Sequence, residues 1–176
     1  MTQSQRLFVA LFPDDSTRQR LFRLASDLVV TTSGRAVPQL SLHLTLRFLG
    51  QVNMEVVQCL EEQLGGVRAT AFRLQISRLE TRTRQGMIWA MPEECPEPLM
   101  ALVAEIDQCS SACGVSARDH EFLPHITLAR NIKRAAELQQ IEPIEIVADN
   151  FQLAVSETLP EGSRYRQLHR WSLDNG

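Results

Sequence analysis

The sequence predicts an α+β fold: two related lobes, each an antiparallel sheet with helices on its outer face, around a central cleft. Three observations predict it. Strand-like runs come in clusters instead of alternating one by one with helices, which favours antiparallel pairing. Three long stretches carry apolar residues at helical spacing. A helix, then a strand bearing His-x-Thr, then further strands, is an order that occurs twice, around His43-Leu44-Thr45-Leu46 and His125-Ile126-Thr127-Leu128. No other residue-level repeat accompanies the motifs, so the order suggests duplication without showing it.

Residues 6–12 read as an opening strand. After Pro13 and an acidic first turn at Asp14, the positions Leu21, Phe22, Leu24, Ala25, Leu28 and Val29 recur at helical spacing. Gly34 to Pro38 breaks that helix, and the strand carrying His43 follows. Asn53 to Leu64 is a second helix, with Val56, Val57, Leu60 and Leu64 on one face and Gly65-Gly66 as its stop. Phe72, Leu74 and Ile76 alternate with polar neighbours, as does the segment around Met87 and Trp89, so an Arg-rich turn at 80–86 joins two antiparallel strands. Pro92 to Pro98 is the strongest linker candidate. A third helix runs from Leu99 to Cys113, with Leu99, Leu102, Val103 and Ile106 buried and Gly114 as its stop. After the strand carrying His125 comes a short helical piece at 131–140. Strands near 142–148, 150–157 and 164–173 close the chain.

The 176 residues suit one domain or two tightly joined lobes with room for a core. Their 44% hydrophobic and 22% charged fractions are those of a soluble globular protein. No stretch approaches the ~18 apolar residues of a membrane span, and Met1 to Arg6 lacks the design of a signal peptide. Cys59, Cys95, Cys109 and Cys113 show no metal-ligand spacing. The expectation is free buried thiols in a reduced, cytoplasmic protein. A net charge of −3 argues against a general nucleic-acid binder but leaves room for a small site that grips one phosphate. Lys133 is the sole lysine; arginine, which can bind phosphate through two donors at once, supplies the other basic charges.

The paired motifs carry the chemistry. Residues i and i+2 of a strand share a face, so His43 and Thr45 project one way while Leu44 and Leu46 pack behind them. His125 and Thr127 do the same over Ile126 and Leu128. Two of the four histidines of the chain sit in this pattern. Imidazole can take or give a proton near neutrality, and in-line displacement at a cyclic phosphate needs one group for each task. Threonine hydroxyls can donate to the phosphoryl oxygens as charge builds on them. Such a quartet needs no metal.

These motifs resemble those of the 2H phosphoesterases, and most closely the bacterial and archaeal RNA 2′,3′-cyclic phosphodiesterases, also called 2′–5′ RNA ligases. The likeness covers nearly the whole chain: Arg6 to Leu11 resembles the opening strand, Leu42 to Gly50 the first motif, Pro124 to Arg130 the second, and Tyr165 to Trp171 the closing strand. It implies a single domain over 1–176 with two pseudo-symmetric lobes, His43 as proton donor and His125 as proton acceptor, roles that spacing alone does not distinguish. It further implies hydrolysis to a 2′-phosphomonoester, with 2′–5′ ligation as the reverse, on RNA bearing 2′,3′-cyclic ends, tRNA fragments among them. A monomer without cofactor or membrane partner is expected. Two rival readings stand beside it: a relative acting on small nucleotide or ADP-ribose cyclic phosphates, and a non-catalytic RNA-end binder.

Other residues admit two roles. Thr45 and Thr127 suit phosphate contact better than mere strand formation. Arg130 is either a phosphate clamp or half of a surface salt bridge. His120, in the polar run 118–121, is expected in solvent. His169 alternates with Tyr165, Gln167 and Trp171; it is expected to be structural, although that face could offer an aromatic platform for a base. Arg82, Arg84, Arg164 and Arg166 are open between surface and RNA-backbone contacts.

Overall fold

Hydrophobic run and cap residues fix the elements. The computed structural model describes residues 4–137, 139–159 and 162–174. Strand β1 (Gln5–Leu11) leads to helix α1 (Asp15–Thr32), the two-residue β2 (Arg35–Ala36) and a 3-10 turn at Gln39–Ser41. Then come β3 (Leu44–Val52), α2 (Met54–Gly65), β4 (Phe72–Arg82), β5 (Met87–Pro92), α3 (Glu97–Ala112), β6 (Ile126–Arg130), β7 (Gln140–Ala148), β8 (Asn150–Leu159) and β9 (Gly162–Ser172). Asp14 starts α1 by accepting from the Thr17 amide, and Asn53 starts α2 by accepting from that of Val56, so each carboxylate or amide oxygen satisfies an end donor. Gly114, at φ 78°, ends the α3 region in a conformation costly for residues with a Cβ. Pro143 is tolerated in β7 because that strand lies at a sheet edge.

The strands form one antiparallel sheet in the order β7-β4-β5-β6-β3-β1-β8-β9, with β2 paired to β6. Its two four-strand halves meet at a single register pair, Leu44 with Ile126. The two expected sheets are therefore joined where the motif strands run side by side. The helices cross this midline: α1, which follows β1, packs on β6 and β7, while α3, which follows β5, packs on β3 and α2. Their apolar faces, with Leu21, Ala25 and Leu28 in α1 and Leu102 and Ile106 in α3, bury Leu44, Leu46, Ile126 and Leu128 from one side. Burial of each such side chain stabilises the fold by about 1.5–3 kcal/mol. The opposite face of the sheet carries the polar partners of those leucines. Strand β1 is apolar on both faces, with Leu7, Val9 and Leu11 towards the helices and Phe8 and Ala10 towards the cleft.

An ionic network holds α3 behind the first motif strand. Arg47, 3% exposed, donates to the Ser116 carbonyl and lies 3.4 Å from Asp107, whose carboxylate also takes two hydrogen bonds from Arg118 at 2.9 and 2.6 Å. Arg118 in turn donates to the Leu46 carbonyl at 3.1 Å. The segment leading to His125 is thereby tied to the strand following His43.

Four expectations are corrected. Among the described residues, 131–137 form no helix: the amides of Ile132 and Lys133 donate to the carbonyls of Gly86 and Thr32, and that of Ala136 to the Thr81 hydroxyl. Donors committed to distant partners cannot make i−4 bonds; residue 138 lies outside the described residues. Cys59 and Cys113 are not free thiols but a disulfide across α2 and the end of α3, with Cα atoms 5.7 Å apart. Packing of α2 on α3 brings them together across 54 residues of sequence, a proximity no local spacing encodes. Cys95 and Cys109 are free. Pro92 to Pro98 is only the short passage from β5 into α3. Finally, Tyr165, Gln167, His169 and Trp171 do not share one face. Leu153 pairs with His169 but Ala154 pairs with Gln167, so Leu168 is an extra, bulged residue. Beyond it, His169 turns to the α2 side, 3.1 Å from Glu61 and stacked on Trp171. Among the described residues, no helix is long and apolar enough to cross a membrane.

Candidate active site

Each motif histidine stands one residue ahead of the first paired residue of its strand. This frees it from the ladder and lets both rings adopt the same local geometry. Nδ1 of His43 is 2.7 Å from the Ser41 carbonyl, and Nδ1 of His125 is 2.8 Å from that of Leu123. A carbonyl only accepts, so each Nδ1 carries the proton and each neutral ring presents a bare Nε2. The carbonyl two residues upstream thus fixes tautomer and orientation in both motifs.

The Leu44–Ile126 pair arranges the four motif side chains. His43 precedes it and Thr45 follows it on β3, while His125 precedes and Thr127 follows on the oppositely running β6. The antiparallel register sets each histidine towards the threonine of the other strand. All four line one cleft of about 200 Å³, whose walls include Trp89, Arg130 and Tyr165. The Thr45 hydroxyl is 3.0 Å from Nε2 of His43 and donates to it.

The two rings have different neighbours. His43 lies among Phe8, Phe12 and Tyr165, with ring centroids 4.9, 5.4 and 4.9 Å away. Burial there, the largest cause, together with Arg130 and His125, lowers its pKa to about 4 against the Ser41 carbonyl, which favours the protonated ring. His125 stacks on Trp89, and Arg82 covers the Trp89 ring at 4.2 Å while paired to Glu80 at 3.0 Å. Burial lowers the His125 pKa as well; Arg82 and Arg130 add to this, while the Leu123 carbonyl and Glu80 oppose it. Both lowered values leave the rings neutral near pH 7.

The structure brings together His43, Thr45, His125, Thr127 and Arg130. Among the described residues Arg130 makes no ion pair; its guanidinium lies 3.9 Å from the Met87 sulfur on the cleft wall, available to an anion. His120 is exposed, and His169 lies away from the cleft against Glu61. Trp89, Phe8 and Phe12 also surround the two rings, although neither motif points to them. Trp89 pairs in register with Thr127, a link visible only once β5 and β6 are known to be neighbours. Among the described residues, no group of three or more His, Cys, Asp or Glu side chains is placed to hold a metal ion.

A family model described as the 2′-5′ RNA ligase superfamily matches residues 13–159. The chain is 29% identical to the RNA 2′,3′-cyclic phosphodiesterase of Escherichia coli (strain K12) over 177 residues, covering 98% of this chain and 99% of that protein. It is 30% identical to the protein of the same name from Thermus thermophilus, covering 96% of this chain and 90% of the other. Among solved structures it resembles E. coli LigT complexed with 3′-AMP, with a TM-score of 0.89 at 27% identity, over 97% of this chain and 99% of that one.

Proposed function

The chain belongs to the 2′-5′ RNA ligase superfamily, and on that premise we propose that it is an RNA 2′,3′-cyclic phosphodiesterase working by paired-histidine acid–base catalysis. The observation that carries this reading is the shared geometry of the two rings: each is locked by its own i−2 carbonyl and turns a bare Nε2 into one cleft with two threonine hydroxyls.

In the proposed reaction, Nε2 of His125 takes a proton from the water that attacks phosphorus. A protonated His43 gives its Nε2 proton to the departing 3′ oxygen on the opposite side, in line. The anionic substrate supplies the condition for this, because negative charge beside the ring favours the protonated form. Once Nε2 of His43 bears a proton it no longer accepts from Thr45, whose hydroxyl is released to donate to a phosphoryl oxygen. Thr127 donates from the other strand, and Arg130 offsets the growing charge. The phosphate remains on the 2′ oxygen. With the 5′-hydroxyl of a second RNA in place of the water, His125 would take the hydroxyl proton and His43 would protonate the departing 3′ oxygen, leaving the two ends joined through a 2′–5′ linkage. No step requires a metal, and the proposal includes action as a monomer in the cytoplasm.

The two ribose oxygens of the cyclic ester are similar leaving groups, so the product reports which of them lies next to His43. Phosphorus NMR of the hydrolysed product should show a 2′-phosphomonoester, resistant to a 3′-specific phosphatase. A 3′-phosphate would reverse the placement of the ribose. Absence of any hydrolysis would overturn the proposal.

A further inference from the structure

Two grooves leave the candidate active cleft on either side of Tyr165, and they differ in charge. The larger, about 570 Å³, is bordered by Asp14, Asp15 and Asp149 against Arg18 and Arg170. The other, about 340 Å³, shares His43, Thr45, Arg130 and Tyr165 with the cleft and adds Arg6 and Phe48. Through Arg6 and Ser156 it continues into an opening of about 440 Å³ where Arg166 faces Glu157. Three arginines against one glutamate line this second route, whereas three aspartates outweigh two arginines on the first. At physiological ionic strength charges act over only about 8 Å, so the local lining decides where a polyanion runs, not the net charge of −3.

Phe48 gives the second route a further property. Ala10 pairs with Thr45 but Val9 pairs with Arg47, so Leu46 is bulged. Leu46 and Arg47 both turn to the helix side, and Phe48 returns to the face of Thr45. It remains 51% exposed, with the Arg6 guanidinium 4.9 Å above its ring. Among the described residues, it belongs to neither buried hydrophobic cluster. An exposed aromatic capped by arginine, at the mouth of a phosphate site, is suited to stack a base and hold the adjoining phosphate.

We infer that this groove is the path of a single-stranded RNA chain leaving the cleft. Phe48 and Arg6 form the platform for the nucleotide next to the cyclic end, and Arg166 contacts the backbone beyond it. This rests on the cyclic-phosphodiesterase reading and adds to it that the substrate is an oligonucleotide, not a mononucleotide. A 2′,3′-cyclic phosphate closes the 3′ end, so the chain in the groove runs towards its 5′ end.

The test compares kcat/KM for a mononucleoside 2′,3′-cyclic phosphate with di- and tetranucleotides ending in one. Wild type should prefer the oligonucleotides. Phe48→Ala should lose roughly tenfold more on the dinucleotide than on the mononucleotide, the size of one base–aromatic stack, and Phe48→Trp should restore it. Arg6→Gln should weaken the salt dependence of KM for the tetranucleotide. Phe48 and Arg6 are exposed, so these variants should fold. Equal losses on short and long substrates in Phe48→Ala, or a larger oligonucleotide effect from Arg170→Gln in the acidic groove, would overturn the inferred path while leaving the reaction intact. Wild-type inactivity on every cyclic phosphate would instead remove the function on which the path rests.

Discussion

Trp89 lies nearly parallel to His125, with ring centroids 3.8 Å apart and 16° between the planes, whereas Tyr165 meets His43 edge-on at 80°. Two motifs with the same local hydrogen bond thus sit in unlike surroundings. The stack, backed by Arg82, holds one ring flat, with Nε2 turned to the cleft, as suits the proposed base. The aromatic enclosure of the other ring excludes water, as suits an acid whose proton must pass to one oxygen only.

Trp89 should therefore act as a positioning residue. Trp89→Leu is expected to lower kcat about 10–100-fold with little change in KM, the scale of a small misplacement of a catalytic group. Trp89→Phe keeps a stacking surface and should recover most of the rate. Its test is steady-state kinetics with circular dichroism to confirm folding; a Trp89→Leu enzyme with unchanged kcat would mean that the stack has no catalytic part.

The quartet should behave as a unit. His43→Ala or His125→Ala should each cost about 10²–10⁴-fold in kcat, and the double variant far less than the product of the two. Thr45→Ala or Thr127→Ala should cost on the order of 10²–10³, as for one oxyanion donor. Activity should survive exhaustive chelation. Loss in EDTA with recovery on adding a divalent cation would show that the chemistry is misassigned.

The pH dependence follows from the lowered histidine values. The proposed mechanism requires a protonated His43 and a neutral His125, so the rate should be bell-shaped, with apparent values belonging to the pair. For the free enzyme, kcat/KM should decline as pH rises through the low value of His43. A bound anion raises that value, so the basic limb of kcat should lie at higher pH than that of kcat/KM. Stability has its own signature. The unfolded chain binds a proton on His43 near the ordinary 6.5, the folded chain only near about 4. Stability should be full above this window and fall as pH drops through it. Thermal melts from pH 7 to 4 should show the slope, and His43→Gln should flatten it.

The Cys59–Cys113 bridge closes a loop of 54 residues, for which chain entropy predicts about 4 kcal/mol of stabilisation. Urea unfolding with and without a thiol reductant should show a lower midpoint on reduction, and Cys59→Ser should match the reduced protein. Activity at 25 °C should be retained, because the bridge joins helices on the side of the sheet away from the cleft. An identical midpoint under both conditions would mean that the two sulfurs are not bonded.

Much of this was legible in local patterns. The helices α1, α2 and α3 follow from apolar residues at helical spacing between residues that start and stop a helix, such as Asp14, Asn53 and Gly114. The two His-x-Thr motifs follow from the alternation of a strand, which sends imidazole and hydroxyl one way and leucine or isoleucine the other. Such features depend on neighbours a few residues away, and the sequence contains those neighbours in order.

What the sequence by itself determined is the identity of the four motif side chains and the elements that bear them. Only the tertiary structure decided how they meet. The Leu44–Ile126 junction joins residues 82 positions apart, from 44 to 126. Bulges at Leu46 and Leu168 turn Phe48 to the cleft and His169 away from it. Trp89 reaches His125 across a strand pair, and Cys59 reaches Cys113 across two packed helices. A period of two is a local rule, and a single extra residue inverts it. Where that residue goes is set by the packing of helices and strands distant in sequence, which the folded chain alone brings into contact.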